Sequence, residues 1–119
     1  MLIGKFITQV NTTRNTVRFY IEKKLLNPEK MNGKYHFNEK DIDDFYSIQE
    51  LKNLGFSINM ICDLNTIRIT YGCGTKQHLD YSKVLITHEI EKTKQEIVKL
   101  KQRLDIYHNY LEILTRNKN

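Results

Sequence analysis

The sequence has little of what stabilises small secreted proteins or membrane proteins. It contains only two cysteines in 119 residues, too few for a disulfide framework. No apolar run approaches the roughly 18 to 20 residues that a membrane span needs. Residues 1–5 include no apolar stretch long enough for a secretion signal. The sequence therefore predicts a cytoplasmic protein with one small domain and an additional segment.

Residue patterns that support catalysis are also missing. The sequence has no G-x-S-x-G segment, no glycine-rich phosphate loop and no H-E-x-x-H segment. Paired acids occur only on helix faces that we expect to be exposed, as at Asp43 and Asp44. We therefore expect a protein that is not an enzyme, with no catalytic residue, no metal site and no cofactor.

Positive charge is concentrated near the N-terminus. The first 37 residues carry seven Lys and Arg against two Glu, which equals the net charge of +5 of the whole chain. The other 82 residues hold the remaining twelve bases and twelve acids. A basic face confined to one short unit predicts a polyanion as its partner. The seven basic residues are Lys5, Arg14, Arg18, Lys23, Lys24, Lys30 and Lys34.

The last third of the chain has a heptad pattern. From residue 86 to 114, seam positions alternate spacings of four and three, and neither Gly nor Pro interrupts them. A helix over 82–115 would be about 50 Å long, longer than a domain of about 75 residues is wide. We therefore favour a two-stranded coiled coil between two copies over a helix folded back on its own domain. The predicted dimerisation residues are Ile86, Ile90, Ile97, Leu100, Leu104, Tyr107, Leu111 and Leu114.

Two short segments near the N-terminus have the outline of a helix-turn-helix. Residues 3–10 are apolar with helical spacing, Asn11-Thr12-Thr13 offers capping side chains, and a second helix is predicted over 14–23. The second helix places Arg14, Asn15 and Arg18 in one wedge about 100° wide, opposite its apolar side. Arg can hydrogen-bond to guanine and Asn to adenine in the major groove. A solvated helix face explains such a wedge about as well.

The next segment predicts a small β-hairpin that could serve as a wing. Residues 27–37 contain the only proline, an Asn32-Gly33 turn and an aromatic-rich tail. Phe37 is expected to pack the wing onto the third helix. Asn38 is predicted to cap that helix, Gly55 to end it, and Ser57 to start a fourth helix that runs through residue 64.

Four segments in this order resemble the MerR-type transcriptional regulators. They are residues 3–6, 16–28, 32–37 and 51–57. The resemblance implies a mainly α fold: a winged helix-turn-helix DNA-binding domain over 1–70, a loop or hinge over 71–81, and a coiled-coil dimerisation helix over 82–115. It further implies a homodimer that reads a near-palindromic promoter operator in double-stranded DNA. The dimer would distort the DNA so that RNA polymerase, an indirect partner, can use an overlong spacer.

The resemblance also implies which residues contact DNA. Asn15 stands where members of the family often touch bases, Arg18 and Tyr20 match the Arg-aromatic-Tyr triplet of the recognition helix, and Lys52 matches a basic residue that grips phosphate. Many members have Gly-Tyr-Arg after the wing turn, whereas this chain has Gly33-Lys34-Tyr35. The role of that arginine is expected to pass to Lys34 or His36. The predicted DNA-binding residues are Lys5, Thr13, Arg14, Asn15, Arg18, Tyr20, Lys34, Tyr35, His36 and Lys52.

The sequence says least about an inducer and the residues that would bind it. Cys73 and His78 are candidate effector residues, because a Cys and a His before the long helix can supply metal ligands. Cys73 in a loop flanked by basic residues is also a candidate redox or electrophile sensor. A small loop thiol and a polar surface histidine explain the pair more simply. Cys62 lies on the apolar side of the fourth helix and is expected to be a buried structural thiol.

A second function stays open from the sequence alone. Excisionase-like architectural or recombination accessory proteins also bind and bend DNA with a winged helix fold. The long heptad segment argues against this alternative, because most such proteins lack a dedicated dimerisation helix. We therefore favour a sequence-specific regulator that responds to an unidentified signal.

Overall fold

Five helices and one two-stranded antiparallel sheet make up the computed structural model, which describes residues 1–117. The chain divides into two compact units, Met1–Gly74 and Thr75–Asn119, which we call the head and the rod. The expected mainly α fold, with a wing and a long C-terminal helix, is confirmed. The elements are α1 (Ile3–Gln9), α2 (Arg14–Glu22), β1 (Glu29–Met31), β2 (Lys34–His36), α3 (Glu39–Asn53), α4 (Ile58–Tyr71) and α5 (Lys76–Arg116).

Local capping interactions fix the beginnings of the head's helices. Thr13 is the N-cap of α2, and its hydroxyl accepts a hydrogen bond from the Thr16 amide at 3.2 Å. Asn38 and Asp41 form a reciprocal capping box at the start of α3, with bonds of 2.9 and 3.1 Å. Capping removes unsatisfied amides from a helix start and stabilises it by about 1 kcal/mol. The predicted helix starts at these positions are confirmed.

The wing is the predicted hairpin. Asn32 and Gly33 have φ angles of +51° and +76°, the left-handed geometry of a two-residue type I′ turn. This turn sets the register in which Lys30 faces Tyr35 and Glu29 faces His36. Beyond β2, the Phe37 amide donates a hydrogen bond to the Met1 carbonyl at 2.6 Å. This hydrogen bond connects the end of the wing to the N-terminal residues that precede α1.

An aromatic cluster holds the head together. Phe6 of α1 is fully buried, stacks on Phe37 with centroids 4.3 Å apart, and meets the edge of Phe45 at 6.0 Å. Phe45 of α3 also packs against Tyr20 of α2 at 5.8 Å. These contacts join the wing, both helices of the helix-turn-helix, and α3. Phe37 therefore packs the wing on the core through Phe6 of α1, whereas the expectation was packing onto the third helix. The buried apolar residues are Phe6, Val10, Val17, Tyr20, Leu25, Leu26, Phe37, Phe45, Ile48 and Ile61.

The junction between α4 and α5 is shorter than the sequence predicts. Helix α4 continues to Tyr71, beyond the expected end at residue 64, because Gly72, with φ at +89°, is the first residue to break it. Helix α5 begins at Lys76 because the Thr75 hydroxyl accepts a bond from the His78 amide at 3.1 Å. The expected loop over 71–81 is therefore wrong for residue 71 and for residues 76–81, which are helical.

The rod consists of one helix with an exposed apolar seam. Helix α5 has 41 residues, corresponding to a length of about 62 Å, and none of them is buried. Among the described residues, no helix combines the length and the apolar character required to span a membrane. The helical prediction for this segment is confirmed, whereas pairing with a second copy stays a prediction. Exposed seam residues are Ile90, Ile97, Leu100, Leu104, Tyr107, Leu111 and Leu114.

Candidate nucleic-acid interface

A basic groove lies between the start of α1, helix α2 and the wing. Its volume is about 570 Å³, and five of its ten lining residues are Lys or Arg, whereas none is acidic. The turn before α2 and the type I′ turn of the wing place these side chains around one opening, although they come from separate parts of the sequence. The lining residues are Leu2, Ile3, Gly4, Lys5, Arg14, Arg18, Lys30, Gly33, Lys34 and Tyr35.

The charge of this groove is not neutralised by the protein itself. All seven basic side chains of the first 37 residues are exposed. Within residues 1–117, none of them forms an ion pair, whereas Lys40, Lys94 and Arg116 each do. An uncompensated basic concavity raises the local concentration of anions and favours binding of a phosphate backbone.

Helix α2 presents a polar face beside the groove. Arg14, Asn15 and Arg18 are exposed, whereas Val17 and Tyr20 are buried on the opposite side. Arg14 and Arg18 line the groove, and Asn15 follows Arg14 on the exposed surface. The helix therefore has side chains suited to base edges next to side chains suited to phosphates. Thr13 contributes differently: its hydroxyl caps α2 and lies 2.9 Å from that of Thr16.

Tyr20 does not belong to the exposed face. It is only 1 % exposed, and its hydroxyl is buried without a hydrogen-bond partner among residues 1–117. In this conformation the ring of Tyr20 packs in the aromatic core, so the expected contact of Tyr20 with DNA stays a prediction that requires its hydroxyl to become exposed. The ring instead supports Lys52 of α3, whose ammonium lies 5.9 Å from the ring centroid. Tyr20 thus positions an exposed cation rather than presenting its own hydroxyl.

The wing contributes two lysines and two half-buried side chains. Lys34 is exposed and lines the groove, and Lys30 lies over the Tyr35 ring at 5.4 Å. Tyr35 packs toward Phe37 with centroids 6.5 Å apart. His36 is half-buried and does not line the groove. Lys34 therefore fits the role of the missing wing arginine better than His36 does.

Two exposed residues near the interface are absent from the predicted DNA-binding residues. Lys30 lines the groove, and the hairpin register that the Asn-Gly turn imposes would have placed it opposite Tyr35. Phe19 of α2 is 38 % exposed, with the Lys23 ammonium 5.6 Å from its centroid. Phe19 lies 40° beyond Asn15 on the same helix at 100° per residue. An apolar residue on a recognition helix is expected in the core, which explains the omission.

The candidate effector residues lie on either side of residue 75 in the sequence, where the chain passes from α4 to α5. Cys73 is exposed in the turn after α4, and His78 lies in the first turn of α5. Cys62 is half-buried and packs against the head's core, in line with a structural role. In the part of the chain that the structure describes, no three His, Cys, Asp or Glu side chains are grouped so that they could hold a metal ion.

Comparison with known proteins places the chain in a family. A family model described as "MerR HTH family regulatory protein" matches residues 1–64. A comparison with curated proteins gave no significant match. Among solved structures, the fold is similar to a chain in the cryo-EM structure of an "EcmrR-DNA complex in EcmrR-RPo", with 21 % identity and a TM-score of 0.62. The alignment covers 100 % of this chain and 41 % of that chain.

The family model covers the part of the molecule that carries the candidate interface. Residues 1–64 include α1, α2, the wing, α3 and the first half of α4, and they are more than half of the 119 residues. The similarity to the EcmrR chain concerns the fold and extends through the rod. On the evidence of the family match, the winged helix-turn-helix fold and the basic groove, this chain belongs to the MerR helix-turn-helix family of regulatory proteins.

Proposed function

We propose that this protein is a homodimeric, sequence-specific transcription regulator that acts on promoter DNA in the cytoplasm. Each head reads one half of a near-palindromic operator, and the rods pair the two heads. The dimer distorts the promoter in response to a signal that is not yet identified, and RNA polymerase is an indirect partner. The protein needs no chemistry of its own for this function.

One observation carries the DNA-binding part of the proposal. Five exposed Lys and Arg side chains surround a single groove that adjoins the polar face of α2. Phosphate contacts of this kind fix the orientation of a protein on the duplex, and base contacts from an adjacent helix supply specificity. The EcmrR chain, which shares the fold, is bound to DNA in its structure, and this supports the same partner here.

The rod supports the dimeric part of the proposal. Its seam leaves Ile97, Leu100 and Leu104 between 46 % and 56 % exposed. Burial of such side chains stabilises an assembly by roughly 25 cal/mol for each Å² removed from water. A heptad stripe of this width suits one partner helix. Two-fold pairing of rods also matches the two-fold symmetry of a palindromic site.

Selection from a random duplex library tests the proposal. We expect wild-type protein to enrich a sequence with two half-sites related by two-fold symmetry, and binding to fall steeply with salt.

The salt dependence of binding to the selected duplex tests the groove. Lys34→Ala removes a groove lysine, and the slope of the logarithm of the binding constant against the logarithm of the salt concentration should decrease in magnitude by about 0.9 for the phosphate contact that is lost. Lys40→Ala removes an exposed lysine that pairs with Asp44 at 3.0 Å and should leave the slope unchanged. Equal slopes for both variants would assign the DNA contact to another surface.

A transcription assay separates regulation from an architectural role. If the selected site is placed in a promoter with a long spacer, a regulator changes the amount of transcript. An excisionase-like accessory protein bends the same fragment without that change. Both proteins would bind DNA, so binding alone does not decide between them.

Cys73 and His78 stay the proposed effector residues. Cys73 is accessible to solvent, which a thiol sensor requires. A screen of metal ions and electrophiles in the transcription assay, with wild type and Cys73→Ser side by side, tests this assignment. A response that is the same in both proteins would exclude the thiol as the sensor.

A further inference from the structure

Phe19 is an exposed aromatic residue that lies outside the head's core. It is 38 % exposed and does not belong to the head's buried core, whereas its neighbour Tyr20 is 1 % exposed and packs on Phe45. Large exposed aromatic side chains on a monomer are most informative where they lie inside a polar binding surface. Phe19 lies on the exposed side of α2, in the face that adjoins the basic groove.

Helical spacing places Phe19 in a row with Asn15. Residues four apart on a helix are surface neighbours, with Cβ atoms about 5 to 6 Å apart. Arg14 and Arg18 form one such row, and Asn15 and Phe19 form the next. The first row carries guanidinium groups, which suit guanine edges, and the second carries an amide, which suits adenine. An aromatic ring next to that amide has a matching target, the methyl group of the base that pairs with adenine.

We propose that Phe19 is a specificity-determining residue whose ring contacts the 5-methyl group of a thymine in the major groove. The inference rests on the proposed function, since it requires that α2 enters the major groove. The 5-methyl group is the apolar feature that thymine presents there, and Phe is among the side chains that recognise it. A ring without a hydroxyl has no hydrogen bond to offer a phosphate, which excludes a backbone contact of the usual kind.

Two further observations fit this assignment. The Lys23 ammonium lies 5.6 Å from the centroid of the Phe19 ring, which adds positive charge beside the ring. The rise from residue 15 to residue 19 is about 6 Å, and base pairs are stacked about 3.4 Å apart. The thymine should therefore lie within about two base pairs of the adenine that Asn15 reads.

Deoxyuridine substitution tests the contact directly. In the duplex selected by wild-type protein, each thymine is replaced in turn by deoxyuridine, which lacks only the 5-methyl group. Loss of one buried methyl contact corresponds to about a fourfold weakening. We expect this loss at one thymine in each half-site for wild type, and none at that position for Phe19→Ala. Phe19→Leu keeps an apolar group and should retain part of the discrimination.

Tyr46→Ala is the matched control, since Tyr46 is an exposed aromatic residue of α3 (51 %); this variant should discriminate as wild type does. If Phe19→Ala still distinguishes thymine from deoxyuridine at every position, or weakens selected and random duplexes equally, the assignment is wrong. A library in which wild type enriches no sequence would instead refute the proposed function. The two failures are therefore distinguishable.

Discussion

The head and the rod use apolar side chains in opposite ways. All ten buried apolar residues of the described chain lie in the head, whereas no residue of α5 is buried. Within residues 1–117, fourteen of the 21 exposed large apolar side chains belong to the rod. The head therefore satisfies its apolar surface within one chain, and the rod leaves this surface available to a partner. If the rods pair as proposed, we expect folding of the head and assembly through the rod to be separable.

The strongest test of this separation is to charge the seam of the rod. The double substitution Leu100→Lys/Leu104→Lys should prevent pairing, because it places up to four ammonium groups in one dimer interface. Loss of bivalent attachment then weakens operator binding by about 10² to 10⁴-fold. Sedimentation gives the oligomeric state, and titration of the selected duplex gives the affinity.

The matched control adds the same charge away from the seam. Gln95 and Gln102 both lie on the side of α5 opposite the seam when the heptad is continued, so Gln95→Lys/Gln102→Lys should remain dimeric. A dimer in both double variants would place the contact elsewhere. The thermal unfolding of the head should be the same in all three proteins.

A substitution in the core should instead lower the stability of the head, and this is the next largest effect. Phe6 is fully buried between Phe37 and Phe45, and Phe6→Ala leaves a cavity in the head. The free energy of unfolding should fall by about 3 to 5 kcal/mol. Urea unfolding followed by tyrosine fluorescence measures the change. Tyr46→Ala, at an exposed site, should change the stability by no more than about 0.5 kcal/mol.

Features that depend on a few adjacent residues could be predicted from the sequence. The cap at Thr13, the capping box at Asn38 and the turn at Asn32-Gly33 follow from local hydrogen bonds and left-handed backbone preferences. The exposed wedge of Arg14 and Arg18 follows from helical periodicity. These features also position most of the candidate interface, so its outline was accessible without a structure.

Other features were misplaced or missed. Tyr20 was placed at the interface by the resemblance of its sequence triplet, although helical periodicity puts it with Val17 on the packing side of α2, where its ring meets Phe45 of α3. Phe19 was omitted for the converse reason, since an aromatic side chain next to buried neighbours is usually assigned to the core. The groove was not predicted because it forms only where the wing and α2 lie on either side of one opening. Periodicity within one element does not indicate how two elements are placed.

Within the head, base reading and phosphate binding should also be separable. Arg18 lies on the polar face of α2 and lines the groove, so Arg18→Ala should weaken operator binding by about 1 to 3 kcal/mol and relax the sequence preference. Lys52→Ala should weaken binding to selected and random duplexes by similar factors. It should also reduce the salt slope by about 0.9, the value for one phosphate contact. Titrations of both duplexes at several salt concentrations distinguish the two patterns. Identical behaviour of the two variants would remove this division of roles.

The smallest expected effect comes from Tyr20, and it decides between two roles for that residue. Its buried hydroxyl has no partner among residues 1–117, so Tyr20→Phe removes an unsatisfied polar group and should stabilise the head by up to about 1 kcal/mol. The ring that supports Lys52 at 5.9 Å is kept, and DNA affinity should stay within about twofold of wild type. If the hydroxyl contacts a phosphate after a rearrangement on DNA, affinity falls while stability rises. Measuring both quantities on the one variant therefore shows whether the core conformation of Tyr20 persists in the complex.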